Sequence, residues 1–229
     1  MHRLLLLLAL TLAAPAPAQS ARALNSEGFR LYQAGKYPEA LEKFEASAQA
    51  DPKFALAHYN VAATLGVLRK KGQICPYSAH RATILERLNT AVRLDSRRLA
   101  RAREDADLDP IRDTLGWQKL LGLSPEKQAH VPELLRRVSW FSPGEGVYGS
   151  TRRLTFPDGK RVVLWRRVIE DDANPSRTEE VTGSYTLKGR SFTLSFPGRK
   201  LLRGKMTLRG VLEVEELGTF LDSPSECEA

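Results

Sequence analysis

Cysteine is scarce in this chain: Cys75 and Cys227 are the two among 229 residues. That excludes a multiply cross-linked disulfide scaffold and the zinc sites that need closely spaced thiol pairs. Histidine is nearly as rare. His2 lies at the very start, and His58, His80 and His130 have no Asp, Glu or Cys beside them at a metal-ligand spacing. The chain has no G-x-S-x-G elbow, no H-E-x-x-H helix and no phosphate-cradling glycine loop. Its carboxylate pairs, Asp171-Asp172 and Glu179-Glu180, flank a polar stretch and read as solvated charges rather than an acid/base couple. The chain is therefore expected to be non-enzymatic, with no cofactor and no metal. A net charge of +8 is a mild excess that suits an anionic surface without specifying nucleic acid.

Long apolar runs are also missing after the first residues. Met1-His2-Arg3 is followed by an uncharged stretch from Leu4 to Ala14 and then by Ala16-Pro17-Ala18. A short basic start, a brief apolar run and an A-x-A-like exit read as a secretory signal peptide over residues 1–18. The run falls short of the roughly 20 apolar residues a spanning helix needs, and no lipoprotein cysteine follows it. The expected location is the periplasm or the exterior. An exported compartment tolerates disulfides, so Cys75 and Cys227 have three fates open to them: one bridge, two free thiols, or an intermolecular bond. A bridge would close a loop of about 150 residues, for which chain entropy predicts several kcal/mol.

From Ala21 to Ala48 small and apolar residues recur at intervals of three and four. Leu24, Gly28, Leu31 and Tyr32 share one face, and Ala40, Leu41, Phe44 and Ala48 another. Gly35 and Tyr37-Pro38 lie between them, where a proline fits the first helical turn. Asp51-Pro52 ends the unit. Gly28, Gly35, Tyr37, Ala40, Leu41, Phe44 and Pro52 stand at the spacings of a repeat of about 34 residues, and this unit resembles a tetratricopeptide (TPR) repeat. A second unit begins at Ala55, with Tyr59, Ala62 and Leu65 on its first helix. Ile84, Leu88, Ala91 and Leu94 line its second. Its turn carries about ten extra residues around Arg69–His80, and insertions in repeat arrays map to loops. A third, partial unit opens with the basic stretch Arg97–Arg103. Glu104, Asp105, Asp107, Asp109 and Asp113 follow, and they resemble the cap that closes many bacterial TPR arrays, paired with the arginines. They lack the glycine and distant glutamate of a calcium loop.

The resemblance implies a concave groove contributed by Asn25, Phe29, Tyr32, Tyr59 and Ala63, with both tyrosines open to solvent. Asn60 matches one position of the TPR carboxylate clamp, but Asn25 and Phe29 stand where that clamp needs a lysine and an asparagine. Clamp chemistry is therefore not expected.

After Gly122 the pattern changes. Residues 123–137 read as a linker or short helix. From Val138 to Asp222 strand-forming runs alternate with turn signals such as Pro157-Asp158-Gly159-Lys160 and Pro197-Gly198. Phe192, Leu194 and Phe196 oppose Thr193 and Ser195, and Leu212 and Val214 oppose Glu213 and Glu215, which predicts a half-buried antiparallel meander. Trp140, Trp165, Tyr185 and Phe192 are expected in its core. Gly183–Leu194 vaguely resembles strands of lipocalin-like barrels.

The expected architecture is thus α+β: a TPR-like helical domain over residues 19–122, then an antiparallel small barrel or sandwich over 138–222 and a polar tail over 223–229. The expected function is protein–protein interaction as an adaptor or scaffold in the cell envelope, through the helical groove. The alternative is a carrier or sensor holding a small apolar or anionic ligand in a cavity of at least a few hundred cubic ångströms inside the β domain.

Overall fold

A computed structural model describes residues 20–142, 152–168, 177–224 and 226. The expected signal peptide lies outside the described residues. Helix α1 (Ala21–Gln33) starts where the Ser20 hydroxyl accepts the Ala23 N–H at 3.2 Å, an N-cap that satisfies one orphan donor. It packs antiparallel to α2 (Tyr37–Ala50), and Gly35 takes the left-handed turn between them at φ 75°. The close approach depends on Gly28, because a Cβ there would lie 2.8 Å from the Phe44 ring. Ala40, Leu41, Phe44 and Ala48 are buried as their spacing predicts.

Helix α3 (Ala55–Lys70) is buried on nearly every side between Ala55 and Leu68. On one flank lies α2; on another, α4 (Arg81–Leu94) contributes Ile84, Leu88 and Ala91 to the core. Leu94, expected on that face, instead points to solvent at the end of α4. The third side is covered by a 3₁₀ turn, Ala106–Ile111, that follows α5 (Arg97–Glu104). This turn crosses α3 at Gly66, where an added Cβ would sit 2.0 Å from the Asp107 carbonyl oxygen. Arg112 closes the end of α5 by donating to the carbonyls of Arg103 at 2.6 Å and Asp105 at 3.1 Å. It also pairs with Asp109 at 2.7 Å.

The chain then forms α6 (Leu115–Leu120), α7 (Val131–Arg137) and eight strands: β1 (Trp140–Ser142), β2 (Arg152–Thr155), β3 (Arg161–Val168), β4 (Arg177–Lys188), β5 (Ser191–Ser195), β6 (Leu202–Met206), β7 (Leu212–Val214) and β8 (Gly218–Phe220). Each strand pairs antiparallel with the next in sequence. The ends of the sheet meet where Phe141 and Leu221 exchange N–H···O bonds of 2.6 and 2.8 Å. The fold is α+β, and its sheet is an up-and-down, nearly closed barrel rather than a sandwich.

Alternation along the strands fills the barrel. Leu154, Val162, Leu164, Phe192, Leu194, Leu212 and Val214 face inward in one apolar cluster with Trp140, Phe156 and Phe220. Trp165 does not join them. It has the opposite parity to Leu164 and lies half-buried on the outer face under the Arg153 guanidinium, 5.4 Å from its ring centroid. The segment expected as a linker or short helix holds the short helix α7, and Val131, Leu134 and Leu135 of that helix enter the same cluster. Leu115 of α6 belongs to it too, and the Leu115 N–H donates to Asp222 at 2.7 Å. The two halves are thereby joined through a shared patch of core.

Candidate functional site

The helical half carries a recess of about 290 Å³ bounded by α1, α3, α5 and the 3₁₀ turn. Phe29 stands at this recess, 46% exposed, beside the half-exposed Tyr32. Tyr59 and Ala63, both on α3, also line it. Asn25 does not line it directly; its side-chain oxygen accepts from the Asn60 amide at 2.9 Å, joining α1 to α3 beneath the recess.

Two carboxylates from the turn complete the wall. The Tyr59 hydroxyl donates to Asp105 at 2.6 Å, and the Tyr32 hydroxyl donates to Asp107. Asp105 uses its other oxygen to accept the Asp107 N–H at 3.1 Å, which fixes the pair as one unit. Burial, and then the adjoining carboxylate, push both phenols above their ordinary range. Arg101 lies over the Tyr59 ring, 5.4 Å from its centroid. With Glu104 also lining the recess, three carboxylates face one arginine, so the site is net negative within a protein whose overall charge is positive.

This geometry corrects the expected groove. Tyr59 is 1% exposed and Asn25 and Ala63 are each 7% exposed, so none of the three presents a free surface. The physical reason is the third unit. Its 3₁₀ turn lies across α3 and ties down both tyrosines through Asp105 and Asp107. Of the capping and arginine pairing expected for these two aspartates, Asp105 does cap the 3₁₀ turn by accepting the Asp107 N–H, while tyrosine hydroxyls take the place of arginine. Among the five acidic residues, Asp109 pairs with Arg112 and Asp113 with Arg81, while Asp105 and Asp107 bond to tyrosine. A signal for this was present, because two aromatic hydroxyls were predicted on one concave face with no acceptor named for either.

Among the described residues, no group of three or more His, Cys, Asp or Glu is placed to hold a metal. Each histidine among the described residues has a local partner. His58 Nε2 lies 3.0 Å from the Pro52 carbonyl, His130 Nδ1 accepts the Ser124 N–H at 2.9 Å, and His80 faces Glu226 at 3.4 Å. Glu179 pairs with Arg166, and Glu180 is exposed. Asp171 and Asp172 lie outside the described residues.

A search of known proteins finds no family model and no curated protein that matches this chain.

The inserted loop after α3 receives the C-terminal tail. Glu226 is held by Arg69 at 2.5 Å and by the Arg81 N–H at 3.2 Å. Cys75, in that loop, is disulfide-bonded. Its expected partner, Cys227, lies outside the described residues; Glu226, the residue before it, docks on this loop. Among the described residues no helix is long and apolar enough to cross a membrane.

Proposed function

We propose that this chain is an exported, non-catalytic interaction module of TPR type, whose helical recess takes a peptide segment presenting a basic side chain beside an apolar one. The observation that carries this reading is the pairing of an exposed Phe29 with the acidic wall of Glu104, Asp105 and Asp107 in one recess. A concave helical surface is how repeat proteins hold extended or helical segments. Phe29 offers apolar contact and a ring face for a cation. The carboxylates supply charge complementarity, which governs specificity and encounter rate more than raw affinity. Asp105 and Asp107 are already fixed by the tyrosines, so they need little ordering when a ligand arrives. The basic start, apolar run and Ala16-Pro17-Ala18 exit support an exported location.

The test is binding of the purified chain to an array of short peptides that place Lys or Arg next to Leu or Phe. Matched peptides with Glu at the basic position serve as controls. Basic–apolar peptides are expected to bind, and Phe29→Ala is expected to weaken them by about tenfold, the loss typical of an aromatic contact residue. Glu104→Gln should lower the salt dependence of binding. Equal binding of acidic and basic peptides, or no effect of Phe29→Ala, would exclude this recess as the docking site.

A further inference from the structure

Among the described residues, the barrel interior is occupied by the apolar cluster that includes Leu154, Val162, Leu164, Phe192, Leu194, Leu212 and Val214. The two barrel ends differ, however. One end is closed by α6 and α7: the β6–β7 turn reaches them at Gly210, where a Cβ would lie 2.3 Å from Leu115, and Arg190 donates to the Pro125 carbonyl. At the opposite end there is a recess of about 360 Å³, with Leu164, Leu202 and Leu217 as its floor.

Four cations surround that floor. Arg152 and Arg166 are directly opposed across β2 and β3, and both share the inward parity of Leu154 and Leu164. Like charges in register on one face of a sheet repel. Arg199 and Lys200 join them from the β5–β6 turn. Among the described residues the balancing charge is incomplete. Glu179 pairs with Arg166 at 2.5 Å and is shared with Arg177 at 3.4 Å. Glu216 pairs with Lys200. Arg152 donates to the Leu217 carbonyl at 3.1 Å. Among the described residues neither Arg152 nor Arg199 has a carboxylate within ion-pair distance. Among the described residues, two positive charges are therefore left without a carboxylate partner over a leucine floor.

We infer that this end of the barrel is a binding site for a small organic oxyanion, a carboxylate or phosphate ester carried on a short apolar body. The oxyanion would sit between Arg152 and Arg199, relieving the Arg152–Arg166 repulsion through charge-assisted hydrogen bonds. The apolar body is required by the floor. A bare inorganic anion placed there would give up hydration to leucine side chains that return nothing, whereas an alkyl group gains by covering them. The volume lies near the lower end of the range for small-molecule sites. This site is independent of the peptide recess on the helical half.

Calorimetric titration of the purified full chain, tail intact, with octanoate, octanamide and inorganic phosphate tests the inference. Octanoate is expected to bind saturably. Octanamide, which keeps the chain but lacks the charge, and phosphate, which keeps the charge but lacks the chain, are each expected to bind at least tenfold more weakly. Arg199→Gln, on an exposed turn, and Arg152→Gln are each expected to weaken octanoate by about tenfold, the loss of one charge-assisted bond at a half-exposed site. Thermal melting of both variants separates lost binding from lost folding. Octanamide binding as tightly as octanoate, unchanged octanoate affinity in both folded variants, or no saturable binding of octanoate would overturn the site. Phosphate binding as tightly as octanoate would overturn the apolar body.

Discussion

The helical half and the barrel solve the same burial problem in opposite ways. In the barrel, alternation sends most inward-facing side chains into one apolar interior, and each strand pairs with the next in sequence. Its polar groups stay on the outside and at the rim. In the helical half, α3 is enclosed by segments from three different stretches of chain, and the enclosure is completed by polar contacts. Tyr32 reaches Asp107 and Tyr59 reaches Asp105 across 75 and 46 positions of sequence. A dry core tolerates a change of ligand at its rim without rearranging. A recess whose wall is held by tyrosine–carboxylate bonds is preorganised, and its shape depends on each of those bonds. If both proposed sites bind, this difference predicts sharper recognition at the helical recess and looser, charge-led recognition at the barrel end.

The comparison breaks most decisively at the barrel core. Trp140 is fully buried, and its indole N–H reaches the Leu135 carbonyl at 3.4 Å. Trp140→Ala is expected to destabilise the protein by about 3–5 kcal/mol, the range for removing a large buried aromatic. Leu115 and α7 link that core to the helical half. Far-ultraviolet circular dichroism and tryptophan fluorescence are therefore expected to report one transition at a lowered midpoint. Two separated transitions would show that the halves unfold independently and that the shared core patch does not couple them.

A smaller effect is expected in the recess wall. Tyr59→Phe removes one hydroxyl and leaves an Asp105 oxygen without its donor, which costs about 1–2 kcal/mol. The same bond has an alkaline signature. Tyr32 and Tyr59 titrate above the ordinary phenol range because burial, then the carboxylates, oppose ionisation. A raised folded-state pKa means that this stabilisation is complete below the unfolded phenol value and is lost as pH rises beyond it. Absorbance at the phenolate band is expected to show Tyr32 and Tyr59, together with Tyr185, whose pKa burial also raises, ionising late, with alkaline unfolding. Tyr59→Phe should remove one tyrosine's share of that late step. Ionisation of all tyrosines in one step near the ordinary phenol value would remove the wall from the account.

The helix pairs were legible because local spacing decides them. Gly28, Gly35, Ala40 and Phe44 stand at offsets that one hairpin satisfies by itself, and strand alternation made Phe192, Leu194, Leu212 and Val214 equally readable. What escaped notice was long-range. The burial of Tyr59 depends on a turn 46 residues away, and no periodicity reports that. Trp165 looked like core by composition, but its parity with Leu164 places it outside. Residues 123–137 read as a linker or short helix, and the helix is there, but its place in the core was not legible, because Val131, Leu134 and Leu135 gain their apolar neighbours from strands that come later in the chain. The arginines at the barrel end were invisible for the same reason: Arg152 and Arg166 become neighbours only when β2 and β3 pair.

The weakest expected effect lies at the turn opening the long β3 strand, and it tests whether the barrel's outside contributes to stability at all. Asp158 accepts the N–H groups of Lys160 and Arg161, each at 2.8 Å, and the Arg161 guanidinium at 2.5 Å. These bonds, led by the Arg161 N–H, lower its carboxyl to about 2. A depressed folded-state pKa contributes stability that is complete above the unfolded carboxylate value and is lost as pH falls through the folded one. The side chain is 42% exposed and its partner Arg161 more so, so solvent screens much of this contribution. Asp158→Ala is expected to leave the neutral-pH melting temperature within a degree or two of wild type and to flatten the acid limb of the stability curve between about pH 4 and 2. A large loss at neutral pH would mean that this turn sets the β2–β3 register, and that the barrel depends on polar surface contacts as much as the recess does.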